Sequence, residues 1–297
     1  MGSLSRGAAV LAGTGAAALA YGSLIERNAF TVRHWDVPVL PAGSEPIRVL
    51  HVSDLHITSA QKRKHRWIRD LARLQPDLVL NTGDTISAMD ARPAVMHALE
   101  PLLQFPGAFV PGNNDYWAPV PKNPVRYFTQ DTRRVRGQPL PWPELAAELA
   151  GAGWVDLTHV RTALDIKGGR SVALAGTDDP HLRRARYHRI AGAADPSAEV
   201  RIGLIHAPEP ELLGCFANDG YDLVVAGHTH GGQVRVPFGP AIVTNCGIDV
   251  RRARWLHPWD ERMYFHICAG LGTNPYTPIR FACRPEASLL TLVARRS

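Results

Sequence analysis

Five short apolar runs, each ended by a cluster of Gly, Asp, Asn or His, limit this chain's fold more tightly than any other feature. They lie at 47–53, 78–80, 108–110, 200–205 and 223–226 and are rich in Val, Leu and Ile. Runs this short and largely apolar, without strict alternation, fit strands buried on both faces. Between the early runs the spacing turns helical. Trp67, Ile68, Leu71 and Leu74 mark a helix over 61–74 with Pro76 just past its end, and a second helix is predicted over 94–103. Strands separated by helix-length segments make βαβ units and a largely parallel sheet. In such sheets ligands collect beyond the carboxyl ends of the strands, so polar groups at five strand ends meet in one crevice.

The later half is richer in strands. Pro143 opens a helix to Ala150 that Gly151 and Gly153 terminate. Runs at 164–166 and 171–174 flank Gly168-Gly169, a hairpin signal. Further strands are predicted at 241–244, 264–267 and 289–293, and a helix near 211–217. A second sheet packed on the first follows from that count.

Each polar cluster taken alone has an ordinary explanation. In Asp54-Leu55-His56, alternate residues of an extended chain point the same way, so a carboxylate and an imidazole can grip one ion. Asp84, after Gly83, alone fits a turn or helix cap, and Gly112-Asn113-Asn114-Asp115 a tight turn. His206 at the end of 200–205 alone fits a structural role. Gly227-His228-Thr229-His230-Gly231-Gly232-Gln233 is different, because two His among three Gly at a strand end point to metal binding. The combined donors are carboxylate, imidazole and amide oxygen with no thiolate, a set suited to Mn, Fe, Zn or Co.

Bulk properties exclude little. The chain has 297 residues, 45% hydrophobic and 20% charged, which is ordinary for a globular protein. A net charge of +6 favours anionic partners without choosing among phosphorylated metabolites, nucleic acid and anionic lipid. The densest basic cluster, Arg133, Arg134 and Arg136, is too short for a nucleic-acid groove, and no specific nucleic acid is predicted. Cys215, Cys246, Cys268 and Cys283 lack zinc-ribbon spacing and are expected as free thiols. Positions 7–24 hold no charged residue, between Arg6 and Glu26-Arg27. That length suits a marginal membrane anchor, for which spanning takes about 17–25 residues. It also suits an export signal with Ala18-Leu19-Ala20 at its cleavage site, or an Ala-rich soluble helix. The expected division is an anchor or signal over 1–29 and one catalytic domain over 30–297, interrupted by a Pro-rich insertion at 117–143.

In order, D-x-H, G-D, G-N-x-D, a strand-end His and G-H-x-H resemble the calcineurin-like metallophosphoesterase superfamily. The G-H-T-H-G-G-Q form, the apolar N-terminus and the tail from Gly270-Leu271-Gly272 to Pro285-Glu286 resemble a bacterial branch of membrane-associated phosphodiesterases, some acting on nucleotide-linked lipids such as UDP-diacylglucosamine. The resemblance implies an α/β four-layer sandwich, two mixed β-sheets flanked by helices. It implies one divalent metal on Asp54, His56 and His230, a second on Asn113, His206 and His228, and Asp84 bridging both. Two such ions about 3.5–4 Å apart can share a hydroxide that attacks phosphorus in line with the leaving oxygen. The substrate is then a phosphoester, nucleotide- or lipid-linked in some relatives.

One position departs from the pattern. The family's third cluster carries a His that assists the leaving oxygen, and here Asn114 stands in its place. Asn114 can donate a hydrogen bond but cannot release a proton near neutral pH, and general acid catalysis is typically worth about 10²–10⁴-fold. Either Asn113 or Asn114 could be the ligand, and Asn113 keeps the family spacing to Asp115. His181, in Asp178-Asp179-Pro180-His181, is a candidate replacement donor, against a plain polar turn, and Tyr116 and Trp117 could floor a pocket, meet a lipid interface or simply pack in the core. Two other functions stay open: a metal-binding scaffold with weak or no catalysis, which Asn114 favours, and a nuclease, which the basic charge favours.

Overall fold

The computed structural model describes residues 2–121 and 136–295. The first half forms β1 (Thr31–Leu40), β2 (Ile47–Val52), α2 (Lys62–Asp70), β3 (Leu78–Asn81), α3 (Arg92–Leu99), β4 (Gly107–Phe109), α4 (Trp142–Gly151) and β5 (Val155–Asp156), after an N-terminal helix α1 (Gly2–Ala20). The second half forms β6 (Val160–Ile166), β7 (Arg170–Gly176), β8 (Val200–Leu204), α5 (Pro210–Asn218), β9 (Leu223–Ala226), β10 (Trp255–Pro258), β11 (Tyr264–Ile267) and β12 (Glu286–Ala294). Two six-stranded sheets result, in the orders β1-β12-β2-β3-β4-β5 and β10-β11-β9-β8-β7-β6. Both are mixed: β2 to β5 and β7, β8, β9 and β11 run parallel, while β12–β2, β6–β7 and β10–β11 are antiparallel.

Side-chain alternation builds four layers from these sheets. Val49, Leu80 and Leu290 point from the first sheet towards Leu174, Ile202 and Val225 of the second, filling the space between them. The intervening residues Leu50, Val79 and Phe109 face Ile68, Val95, Leu99 and Leu145 of the helices outside. On the far side Leu213 and Phe216 of α5 cover Val224 and Phe265. Burial on both faces is why the strands read as unbroken apolar runs. Gly203 on β8 leaves room for the Phe216 ring, which a Cβ there would overlap.

The structure corrects several expectations. The predicted strand at 241–244 is a loop, with a single Arg235–Ala241 bridge and an Ile242 N–H to Val234 O bond at 3.4 Å tying it to the preceding segment. Strand β1 escapes a sequence reading because it holds Pro38, where its pairing with β12 shifts register. An edge strand tolerates that proline, and β1 is an edge. The helix over 61–74 tightens into a 3-10 turn at Leu71–Leu74, ended by Gln75 at φ +47°. Of the insertion at 117–143 only the ends are described, with Trp117 bridged to Pro139; Pro124, Arg133 and Arg134 lie outside the described residues. The four cysteines are free. After α1 the chain passes through a π turn at Tyr21–Ile25 and a 3-10 turn at Glu26–Asn28, and among the described residues no helix is long and apolar enough to cross a membrane.

Phe216→Ala should lower the unfolding free energy by roughly 3–5 kcal/mol, the usual cost of emptying a fully buried aromatic site. Urea titration measures it, and a loss below about 1 kcal/mol would mean that α5 does not seal the second sheet as described.

Candidate metal centre

Every ligand residue read from the sequence arrives at one place, just past a strand end. Asp54 and His56 follow β2, Asp84 follows β3, Asn113 follows β4, His206 follows β8, and His228 and His230 follow β9. The reason given for Asp54 and His56 does not hold, because their backbone is not extended. Their φ angles are +47° and +42°, and Asp84 (+53°), His228 (+68°) and His230 (+50°) share that left-handed region. Non-glycine residues adopt it at a cost and keep it only where surrounding bonds over-determine them. Here Asp54 N–H donates to Gly83 O and His56 N–H to Asp84 O, each at 2.9 Å, so the loops after β2 and β3 lock each other in the kinked form.

The side chains form two groups that share Asp84. In the first, the ligand atoms of Asp54, His56, Asp84 and His230 all lie within 4.8 Å of one another. His56 Nε2 is 3.4 Å from Asp84 Oδ2 and 3.3 Å from His230 Nε2, which is 3.4 Å from Asp54 Oδ1. In the second, His206 Nε2 lies 3.4 Å from Asp84 Oδ1 and 3.3 Å from His228 Nδ1, which is 3.0 Å from Asn113 Oδ1. The two Asp84 oxygens thus face different groups. Asn113 supplies the amide oxygen. Asn114 instead donates to Asp84, from its backbone N to Oδ1 and from Nδ2 to Oδ2, both at 2.7 Å.

Hydrogen bonding on the outer nitrogens fixes what the inner ones present. His206 Nδ1 meets Thr82 O at 2.7 Å and His230 Nδ1 meets Gly272 O at 3.2 Å. A carbonyl only accepts, so both Nδ1 atoms carry the proton; neutral His230 then turns a bare Nε2 lone pair inward, while His206 turns its Nε2 to Asp84 Oδ1. His56 Nδ1 is likewise engaged, by Ser87 Oγ at 2.8 Å. Buried lone pairs aimed at one another and at carboxylates repel unless positive charge lies among them. At His206 that positive charge sits on the imidazole itself. Burial works against a charged His206, yet the Asp84 carboxylate, with Asp54 and Asp179, outweighs it and holds the imidazolium well above the ordinary range. Burial first, and repulsion from Asp84, push Asp54 up to about 6. The donor set therefore fits divalent cations, and its nitrogen and oxygen chemistry suits Mn, Fe, Zn or Co.

Several supporting residues gave no usable signal in the sequence. Asp115 is fully buried and accepts from the backbone N–H of Gly112, Asp84, Thr85 and Ile86 at 2.7–3.1 Å, clamping the loop after β3 to the loop after β4. Arg280 is buried too, and its Nη2 donates to Ala269, Gly270 and Gly272 carbonyls at 2.7–3.0 Å, holding the strand-end loop on which His230 leans. Glu26 accepts from Ala282 and Cys283 N–H at 3.0 and 2.6 Å, so the N-terminal segment braces the Arg280 loop. Below the centre, His51 of β2 and His266 of β11 join the sheets through a 2.9 Å Nδ1–Nδ1 contact, and burial pushes His51 down to about 3. Gly227 has a role the motif alone did not explain: a Cβ there would overlap Ser53 Oγ and Asp54 Oδ2.

The remaining predicted residues lie around this centre. The His181 ring sits 4.9 Å from that of His228, at the edge of the second group. Tyr116 lines a cleft of about 430 Å³ with Trp142, Asp178 and Arg184. Trp117 instead lies under the Arg136 guanidinium at 5.0 Å.

Comparison with known proteins agrees with this geometry. Residues 47–232, which contain every candidate ligand position, match the family described as calcineurin-like phosphoesterase. The chain is 27% identical over 254 residues to the uncharacterized protein YpbG of Bacillus subtilis (strain 168), covering 84% of this chain and 82% of that one. It is 27% identical over 264 residues to phosphodiesterase YaeI of Escherichia coli (strain K12), covering 84% of each chain. It is 25% identical over 275 residues to a transmembrane protein with metallophosphoesterase domain of Danio rerio, covering 86% of this chain and 56% of that protein.

Asp115→Asn turns an amide N–H₂ towards backbone donors that need an acceptor. Loss of such charge-assisted bonds should cost roughly 1.5–3 kcal/mol. Calorimetry should show the drop in melting temperature; an unchanged transition would show that the clamp carries no stability.

Proposed function

Because the chain belongs to the calcineurin-like phosphoesterase family, whose members are metal-dependent phosphoester hydrolases, we propose that it is a phosphodiesterase or phosphatase working with two divalent cations on either side of Asp84. The observation that carries this reading is the division of Asp84, one oxygen beside His56 and the other beside His206. Asp54, His56 and His230 hold the first cation, and Asn113, His206 and His228 the second. Bound there, such cations supply an activated water at neutral pH and neutralise the phosphate oxygens.

The protein's own groups set the rest of the chemistry. Thr82 O and Gly272 O hold the Nδ1 protons of His206 and His230; His230 is ready to bind through Nε2, and His206 would bind after giving up the Nε2 proton that Asp84 stabilises. Asn114 steers Asp84 and has no proton to give the leaving oxygen. His181, beside His228, is the group that protonates a poor leaving group. The net charge of +6 suits a nucleotide- or lipid-linked phosphoester, and the similarity to YaeI, a phosphodiesterase by name, favours a diester. The uncharged stretch over 7–24 supports a membrane-associated or exported protein over one whose first helix is simply soluble and Ala-rich. A scaffold that binds metal without catalysis is the competing reading, and Asn114 is its support.

Chelator-treated protein given Mn²⁺ should hydrolyse bis(p-nitrophenyl) phosphate, and Asp84→Asn should lower kcat/KM by more than about 100-fold. A soluble, metal-loaded protein without activity on any phosphoester would establish the scaffold. Among active substrates, His181→Ala should slow alkyl esters by about 10²–10⁴-fold while sparing p-nitrophenyl esters. Equal slowing across leaving groups would remove His181 from proton transfer.

A further inference from the structure

Immediately after the metal loop the chain makes a hairpin whose outer surface is apolar. Arg235 bridges Ala241 and Val236 N–H donates to Pro240 O at 3.3 Å, leaving Val236, Phe238 and Ile242 exposed. Phe238 stands fully exposed at the tip with φ +59°. A bulky residue in the left-handed region is strained, and an exposed one recovers nothing from the core in return. The hairpin is nonetheless held rigidly. Buried Arg235 reaches back to Gly231 O at 2.8 Å and across to Gly239 O at 2.9 Å, tying the tip to the loop that carries His230.

The same surface continues into the N-terminal segment. Arg235 N–H donates to Phe281 O and Phe281 N–H to Gln233 O, both at 3.0 Å, so the 281 segment flanks the base of the hairpin. On the other side of that segment Tyr21 packs edge-on against Phe281 at 6.3 Å, and Arg280 N–H donates to Gly22 O at 3.2 Å. Tyr21, Leu24 and Ile25 are exposed there. Two chain segments far apart in sequence thus expose large apolar side chains on either side of one short ribbon. The N-terminal one leads directly back into the uncharged stretch over 7–24.

Charge identifies the partner. Arg235 and Arg280 are buried on backbone carbonyls and do not count towards the surface, but 231–257 also carries Arg251, Arg252 and Arg254 against Asp249, and 273–284 carries Arg284 with no carboxylate. Arg251 and Arg284 are exposed. Apolar tips among arginines match a lipid layer with anionic headgroups, where side chains enter the acyl boundary and guanidinium groups meet phosphates.

We propose that the 234–242 hairpin, together with Tyr21, Leu24 and Ile25, is a docking surface for an anionic bilayer and sets the metal centre at its headgroup layer. The inference rests on the phosphoester-hydrolase reading only for what docking delivers, a phosphoester lying in the membrane interface. The hairpin opens at Gln233, next in the chain to the metal loop, so a docked hairpin leaves His230 close to that layer.

The test uses the full chain loaded with metal. Flotation on phosphatidylcholine vesicles with and without phosphatidylglycerol should show binding that rises with the anionic lipid. Phe238→Ser combined with Ile242→Ser should weaken it by about tenfold or more, since each removes a side chain worth that much on burial. Hydrolysis of soluble bis(p-nitrophenyl) phosphate should not change. In a Phe238→Trp chain, the emission added to that of the natural protein should shift to the blue on vesicles and be quenched by brominated acyl chains. Equal vesicle binding by natural and doubly substituted chains, or an added emission in the Phe238→Trp chain that ignores vesicles, overturns the proposal. So does self-association that the double substitution abolishes without affecting vesicle binding, which would assign the surface to a second copy of the chain. A natural chain that docks but hydrolyses no phosphoester would overturn the hydrolase reading and leave the docking surface standing.

Discussion

Convergence of imidazole lone pairs and carboxylates around Asp84 is the constraint that organises this protein. Hydrogen bonds to Thr82 and Gly272 hold the Nδ1 protons of His206 and His230 on the outer side, so carboxylates and imidazole lone pairs crowd inward with only the His206 imidazolium among them as an offsetting charge. Such an arrangement is unfavourable on electrostatic grounds unless cations fill it, so the surrounding fold must hold it open. The two sheets do this by ending their parallel strands at the same level. Their shared interior, where Val49 and Leu80 meet Ile202 and Val225, fixes one set of strand ends against the other.

Backbone strain is concentrated at the same spot. Five of the candidate ligand residues sit at positive φ, each at a typical cost of about 1–3 kcal/mol. They stay there because backbone groups of neighbouring loops bind one another and because Asp115 and Arg280 collect the polar groups left over. Glycines permit the closest approaches. Gly227 lets the second sheet's loop lie against Ser53 and Asp54, and Gly112 lets the loop after β4 lie against Asp84. The metal-ligand motifs are therefore as much a record of where backbones touch as of which side chains bind.

This explains which parts were legible in the sequence. Strands β9 and β11 were read to the residue, because burial on both faces leaves an unbroken apolar run. The run at 241–244 has the same composition but not the same surroundings: Ile242 is exposed and Thr244 Oγ1 turns to the Cys246 carbonyl. The ligands were legible because their residue types are unusual at strand ends. Their left-handed conformation was not, since Asp and His are enriched at positive φ but adopt it in only a small share of their occurrences. Glu26 and Arg280 were invisible because their value lies in partners distant along the chain; Glu26 and Ala282 are 256 positions apart. Asn113 could be separated from Asn114 only by direction, one turned to His228 and the other to Asp84.

The most direct test of the central claim is anomalous diffraction at the manganese edge from crystals grown with Mn²⁺. The account predicts two peaks within bonding reach of Asp84, one beside Asp54, His56 and His230 and the other beside Asn113, His206 and His228. A lone ion away from Asp84, or no ion at saturating Mn²⁺, would contradict it.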